Sequence, residues 1–354
     1  MLKFIVLANK LKIWSAIFLL FFLFPITANS LDLNISAESA ILINANTGDV
    51  LFEKNAHTQH YPASITKVAT ALYTLHVYHD KLDTLIEAEH DAVASVAKEA
   101  KKRSNYTLPA HWLEPGATHI GIKRNEQLSL RDLLYGMLIS SGNDASNVIA
   151  QFIGGSVSNF MTDLNNHLVE LGCSQTKFCN PHGLHHPKHL TTAYDMALIT
   201  KEAMKSPDFR EIVKTVRYTR PKTNKQSAST LIQTNRLLRK GKNYYNKAIG
   251  VKTGWTSDAM NTLVASAEHN GRTLIAVLIK VKERDTIFQE AKLMFETAFN
   301  QPLVQRVLLK AGLQRYVLKH PEASREVTTY IAKDVCIDFY PAEEPNLKCK
   351  LSWL

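Results

Sequence analysis

Strand patterns at both ends of a long helical stretch constrain this chain more than any other feature of its 354 residues. Near the start, Ala40–Ile43 and Val50–Phe52 are apolar runs around Asn46-Thr47-Gly48-Asp49, which predicts a hairpin. Much later, Thr262–Ala267 and Thr273–Val281 flank His269-Asn270-Gly271, a second hairpin signal, and Ala248-Ile249-Gly250-Val251 before them is β-like. Between the two sets the apolar period is helical. Pro62 introduces a helix over Ala63–Tyr78, and Leu130, Leu133, Leu134, Met137 and Leu138 share one face within a mainly helical Asp91–Val169. Thr192–Met204 is a helix with Thr192 as N-cap and Asp195 at the capping-box position, and Thr286–Phe299 is a closing amphipathic helix. The order is sheet, helical insertion, sheet, helix. The expected fold class is α/β of the α+β kind: an antiparallel sheet flanked by helices, with a helical lobe.

The first 30 residues run from basic (Lys3, Lys10, Lys12) through apolar (Ile13 to Pro25) to small (Ala28-Asn29-Ser30). That order predicts a secretory signal over 1–30, with an uncleaved membrane anchor as the alternative; either way the body is exported. Residues 31–301 then form the main domain. From Pro302 the pattern turns short and strand-like, with Val335–Phe339 alternating and Pro341 and Pro345 breaking it, so 302–354 is expected to be a small β-rich C-terminal domain. Export permits disulfides, and the cysteines fall as two local pairs, so Cys173–Cys179 and Cys336–Cys349 are the preferred of three possible pairings, with free thiols as the alternative.

A formal charge of +10 suits anionic partners such as wall polymer or lipid headgroups. It does not imply nucleic acid, because no aromatic residues interleave the basic cluster Lys101-Lys102-Arg103 as a single-strand platform requires. His182, His185, His186 and His189 crowd one short segment, yet no acid or cysteine completes a ligand set and no His-Glu-x-x-His occurs. No metal or cofactor is expected.

Ser-x-x-Lys occurs three times, at Ser64–Lys67, Ser95–Lys98 and Ser174–Lys177, so the pattern alone carries nothing. Only Ser64 opens a strongly apolar helix, where Lys67 lies one turn on and on the same face. A serine hydroxyl needs a base, and a desolvated lysine whose neutral form is favoured can serve. Ser141-Gly142-Asn143 is the chain's single Ser-x-Asn and closes an apolar helix; Lys252-Thr253-Gly254 is its single Lys-Thr-Gly and follows a strand.

In this order the three motifs resemble those of penicillin-binding proteins and serine β-lactamases. Tyr61-Pro62-Ala63-Ser64-Ile65-Thr66-Lys67, Leu133-Leu134-Tyr135-Gly136, Ser141-Gly142-Asn143-Asp144-Ala145, Asn180-Pro181-His182-Gly183-Leu184 and Thr192-Ala193-Tyr194-Asp195-Met196 are similar to the low-molecular-mass D-alanyl-D-alanine carboxypeptidases, over about Ala37 to Phe299. The resemblance implies a penicillin-binding/β-lactamase-like fold and removal of the terminal D-alanine from peptidoglycan stem peptides through an acyl-enzyme on Ser64. It implies a periplasmic or wall-facing place, and β-lactam antibiotics as covalent inhibitors. Lys67 takes the Ser64 proton, Ser141 relays a proton to the departing amine, and Asn143 holds the substrate amide. Lys252 and Thr253 receive the terminal carboxylate, assisted by Arg236, and Gly254 lets the peptide lie beside the strand. The oxyanion falls to the main-chain N–H groups of Ser64 and Trp255.

Three departures accompany the resemblance: a longer, more basic Lys101–Gln127, Trp255 in place of a smaller aromatic or histidine, and a short C-terminal piece without the amphipathic helix that anchors relatives to a membrane. In the helical stretch after Asn143 no Glu-x-x-x-Asn occurs, Glu170 leading only to Ser174, which predicts slow release of penicillin rather than β-lactamase turnover. Action on cross-linked stems, as endopeptidase or transpeptidase, and a non-catalytic penicillin sensor or wall-binding module are the alternatives.

Overall fold

The computed structural model describes residues 30–318 and 327–345. Residues 1–29 of the predicted export signal, and Cys349, lie outside the described residues. The chain divides into two units, Ser30–Asn300 and the described residues from Gln301 onward.

In the first unit a hairpin, β1 (Ser39–Asn44) and β2 (Val50–Lys54), precedes a single 3-10 turn at Ala63–Ile65 that runs into α1 (Thr66–Tyr78). Then come β3 (Leu85–Glu87), α2 (His90–Val93), α3 (Lys98–Arg103), β4 (Gln127–Ser129), α4 (Leu130–Leu138), α5 (Asn143–Gly154), α6 (Val157–Glu170), α7 (Ala193–Ala203) and α8 (Pro207–Lys214). The chain returns to strands in β5 (Arg217–Arg220), β6 (Ser229–Ile232), β7 (Ala248–Thr256), β8 (Met260–His269) and β9 (Arg272–Val281), and ends in α9 (Arg284–Phe299).

The main sheet has the order β2-β1-β9-β8-β7, each neighbouring pair antiparallel. Strand β1 thus pairs with β9, Ile41 opposite Val277, and the helical lobe leaves and re-enters between β2 and β7. Helices α7 and α9 both pack against β9, so β1 and β9 are buried along nearly their whole length. Such strands read as continuous apolar runs, SAILIN and TLIAVLI, rather than as alternation. The β8–β9 turn places Asn270 and Gly271 at φ 50° and 75°, the left-handed pair that a tight hairpin turn needs. Strand β7, which carries Lys252-Thr253-Gly254, is an edge.

Small oxygen-bearing residues start the lobe helices: Ser129, Ser156, Thr192 and Ser206 each accept the N–H three residues on, a cap worth about 1 kcal/mol. The predicted capping box at Thr192 is half made. Thr192 accepts from Asp195 N, but the Asp195 carboxylate turns to Gln175 N and Thr176 Oγ1. The expected helical run from Asp91 is also broken: residues 104–126 are irregular, with Asn105 and Tyr106 at positive φ and Gly116 and Gly121 at turns.

The preferred cysteine pairing does not hold, for Cys173, Cys179 and Cys336 are free thiols. Cys173 is buried with its thiol toward the Asp195 carbonyl, whereas the chain at Cys179 is tied through its N–H to His189 Nδ1, so the two side chains serve different neighbourhoods. In the second unit β10 (Val304–Leu309) pairs with β13 (Val335–Phe339), and β11 (Gly312–Leu318) with β12 (Val327–Ile331), all antiparallel. Among the described residues, no helix is long and apolar enough to cross a membrane.

Candidate active site

Ser64 occupies the 3-10 turn rather than the first turn of α1, because Pro62 and Ala63, at φ 50°, bend the chain sharply before the helix begins. A left-handed alanine costs on the order of 1–3 kcal/mol and persists only where neighbours hold it. Here Thr262 Oγ1 on β8 donates to Pro62 O at 2.8 Å, and Thr66 Oγ1 donates to Ala63 O at 2.9 Å. His60 and Thr191 exchange main-chain hydrogen bonds just upstream.

Lys67 is fully buried; its Nζ donates to Asn143 Oδ1 at 2.7 Å and to the main-chain oxygen of His182 at 2.6 Å, and lies 3.0 Å from Ser64 Oγ. Burial, then the nearby Lys252 charge, holds its amine well below the usual lysine range, with Asp144 opposing. Lys252 is equally buried; its Nζ donates to Thr253 O at 2.9 Å, and burial brings its pKa down to about 7. An anionic ligand placed beside these two buried amines would favour their charged forms, which suits binding of a carboxylate.

Ser141 and Asn143 flank a break between helices. Ser141 sits at φ 64° after α4, and Asn143 is the first residue of α5, so the motif opens a helix as well as closing one. Neighbouring Asp144 accepts N–H groups from Ile120, Gly121 and Ile122 at 3.1, 2.8 and 2.9 Å, which fastens the 104–126 segment to this turn.

On β7, Thr253 Oγ1 donates to Thr234 Oγ1 at 3.0 Å, while Asn235 Nδ2 reaches Gly250 O and Thr234 N reaches Ile139 O. Residues 234–235 therefore stitch β7 to the end of α4. Gly254 answers a tighter demand than room for a peptide: a Cβ there would lie 2.8 Å from Ser64 N and 3.1 Å from Ala63 Cβ, and would collide with Thr262 Oγ1. Trp255 stands two-thirds exposed at the end of the strand. Arg236 makes an ion pair with Asp285 at the start of α9 at 2.8 Å, and Thr234 is the residue of that segment that touches Thr253.

Sequence reasoning named Asn180–Leu184 as a motif but gave it no role in the site. Asn180 Oδ1 accepts Gly183 N and its amide donates to Leu184 O, so the side chain shapes the turn from inside. Gly183, at φ 93°, abuts Ala63, where any Cβ would collide with the Ala63 oxygen. The carbonyls of Pro181 and His182 then face α1 and accept from Thr70 Oγ1 and Lys67 Nζ. The crowded histidines are held apart by this arrangement: His182 bonds His111 O and Leu184 N, and His189 bonds Cys179 N and Thr66 Oγ1. The signal was present in Asn180 and Gly183, the shaping side chain and the left-handed glycine, but the chemistry is main-chain.

A nucleophile, a desolvated amine and an edge strand meeting in one cluster have counterparts in known proteins. Residues 26–283 match the family model described as D-alanyl-D-alanine carboxypeptidase. The chain is similar to the D-alanyl-D-alanine carboxypeptidase DacF of Bacillus subtilis, 34% identical over 295 residues, covering 79% of this chain and 69% of the relative. It is similar to DacC of Escherichia coli, 30% identical over 284 residues, covering 78% and 66%. Among solved structures, the Streptomyces DD-transpeptidase superposes with a TM-score of 0.65 at 27% identity, covering 76% of this chain and 99% of that one. A D-alanyl-D-alanine carboxypeptidase of Mycobacterium tuberculosis gives 0.64 at 27%, covering 78% and 96%. The antiparallel sheet with its helical lobe is thus the penicillin-binding fold, and the chain belongs to the D-alanyl-D-alanine carboxypeptidase family of serine peptidases.

Proposed function

We propose that this enzyme removes the terminal D-alanine of peptidoglycan stem peptides through an acyl-enzyme on Ser64, outside the cytoplasmic membrane. The observation that carries the reading is the 3.0 Å contact between Ser64 Oγ and the fully buried Nζ of Lys67. The neutral amine that burial favours accepts the hydroxyl proton as Ser64 attacks the carbonyl between the two D-alanines. The oxyanion is assigned to the N–H groups of Ser64 and Trp255, which the close approach of Gly254 to Ser64 N brings to the same side of the strand. Lys252 and the Thr253 hydroxyl receive the carboxylate, with Thr234 orienting Thr253. Asn143 uses its oxygen on Lys67 and has its amide N–H left for the substrate. Ser141 passes a proton to the departing amine, and water then releases the shortened stem.

β-Lactams fit the same place, since they carry a carboxylate and a reactive carbonyl at comparable spacing. The test is incubation with a stem pentapeptide, following D-alanine by mass spectrometry. The reading expects stoichiometric D-alanine and a tetrapeptide, both absent with Ser64→Ala. Adding an acceptor amine to the same assay separates hydrolysis from transfer. No D-alanine from the wild-type protein would contradict the reading.

A further inference from the structure

Three segments that leave the cluster converge again beyond Gly254. Tyr61 precedes Ser64 by three residues, His185 follows His182 by three, and Asp258 follows Gly254 by four. They meet around one carboxylate. Lys98 Nζ, from α3, donates to Asp258 Oδ2 at 3.2 Å and to Ser257 Oγ at 2.8 Å, and His185 Nδ1 lies 3.8 Å from the same Asp258 oxygen. The Tyr61 ring sits edge-on to His185 at 4.6 Å, and Tyr106, from the 104–126 segment, sits edge-on to it at 5.7 Å.

Two features mark this as a receiving surface. Lys98 and Asp258 each keep about 30% of their side chains exposed, so the pair is open on one side. His185 Nδ1 is buried without a hydrogen-bond partner among the described residues, an unmet polar atom directed at the same spot. The direction of the substrate follows from the proposed function, on which this inference rests. With the carboxylate at Lys252 and Thr253 and the reacting carbonyl at Ser64 N, the remaining stem runs past Gly254 toward Asp258. Gly254 to Thr256 covers about 7 Å of strand and the 257–259 turn carries Asp258 just beyond it, a span that one residue plus a long side chain can match.

We infer that Lys98, Asp258 and His185 form a subsite for the side chain of the stem residue next to the D-alanine pair, and that it selects an end carrying both an ammonium and a carboxylate. Asp258 takes the ammonium, Lys98 the carboxylate, and the Tyr61 and Tyr106 rings wall the methylene stem. A side chain ending in an amine alone leaves Lys98 without its new partner, and an acylated or cross-linked amine loses the Asp258 contact.

The test compares kcat/KM for D-alanine release from two N-acetylated pentapeptides that differ at the third residue, meso-diaminopimelate against L-lysine. Wild-type protein, Lys98→Met and Asp258→Asn are used, with the functional fraction of each counted by covalent penicillin labelling. The wild-type protein is expected to favour the diaminopimelate peptide about tenfold, as polar recognition of a missing group allows. Both variants are expected to bring that ratio to within about twofold of unity. D-Alanine released equally from both peptides by the wild-type protein, or a ratio unchanged in the variants, overturns the subsite and leaves the carboxypeptidase reading standing. Release from neither peptide overturns both.

Discussion

Lys67 Nζ lies closer to the main-chain oxygen of His182, at 2.6 Å, than to the hydroxyl of Ser64, at 3.0 Å. The position of the base is therefore set by a backbone turn, which aims the amine at the nucleophile and leaves proton transfer to Ser64 as the adjustable contact. That turn depends on Asn180 within it and on Gly183 against Ala63.

Replacing Gly183 with alanine forces a side chain onto the Ala63 oxygen in a backbone conformation that only glycine adopts easily. Gly183→Ala is expected to destabilise the protein by more than about 3 kcal/mol, visible as poor soluble yield or a lowered denaturant midpoint. Gly254→Ala meets Ser64 N at 2.8 Å and is expected to cost about 1–3 kcal/mol while abolishing penicillin labelling, since the strain falls on the nucleophile.

Lys67→Arg retains charge but removes a group able to become neutral. It is expected to slow acylation about 10²–10⁴-fold, the usual contribution of a positioned base, measured as the rate of fluorescent-penicillin incorporation. An acylation rate within tenfold of wild type would mean that another group takes the proton.

Asp144 ties the 120–122 main chain to the Ser141–Asn143 turn through N–H groups at 2.8–3.1 Å. Asp144→Ala leaves those donors without a partner, at about 2–4 kcal/mol in total. Limited proteolysis should then cut within 104–126 in the variant at concentrations that spare the wild-type protein.

Lys252, at about 7, is mostly neutral above that pH, and a bound carboxylate favours its charged form. Binding of N-acetyl-D-Ala-D-Ala to Ser64→Ala at pH 8 is therefore expected to take up a proton. Calorimetry in two buffers of different ionisation enthalpy measures it. A further Lys252→Met change should abolish the uptake, and no uptake in the parent would show that Lys252 already carries its proton.

Much of this architecture was legible because its signals are local. The Asn270-Gly271 turn, the Thr192 cap and the unbroken apolar runs of β1 and β9 each follow from a few neighbouring residues. Three residues named from the motifs, Ser64, Lys67 and Asn143, meet at Lys67 Nζ, and the Lys-Thr-Gly singles out one strand. Long-range geometry was not legible. The Arg236 ion pair with Asp285 was not foreseen, and Cys173 and Cys179 are free thiols, because nothing in their spacing records where their side chains point. Lys98, set aside as part of a chance Ser-x-x-Lys, pairs with Asp258, a partner 160 residues away. The His182 carbonyl was invisible for a different reason: any residue supplies one, and only the fold decides where it faces.

The most direct test is the intact mass of the protein after exposure to benzylpenicillin, followed by peptide mapping. The prediction is one adduct of the antibiotic's mass on the peptide bearing Ser64, persisting for minutes, and none with Ser64→Ala. An adduct on Ser95, Ser174 or Ser141, or no adduct at all, would contradict it.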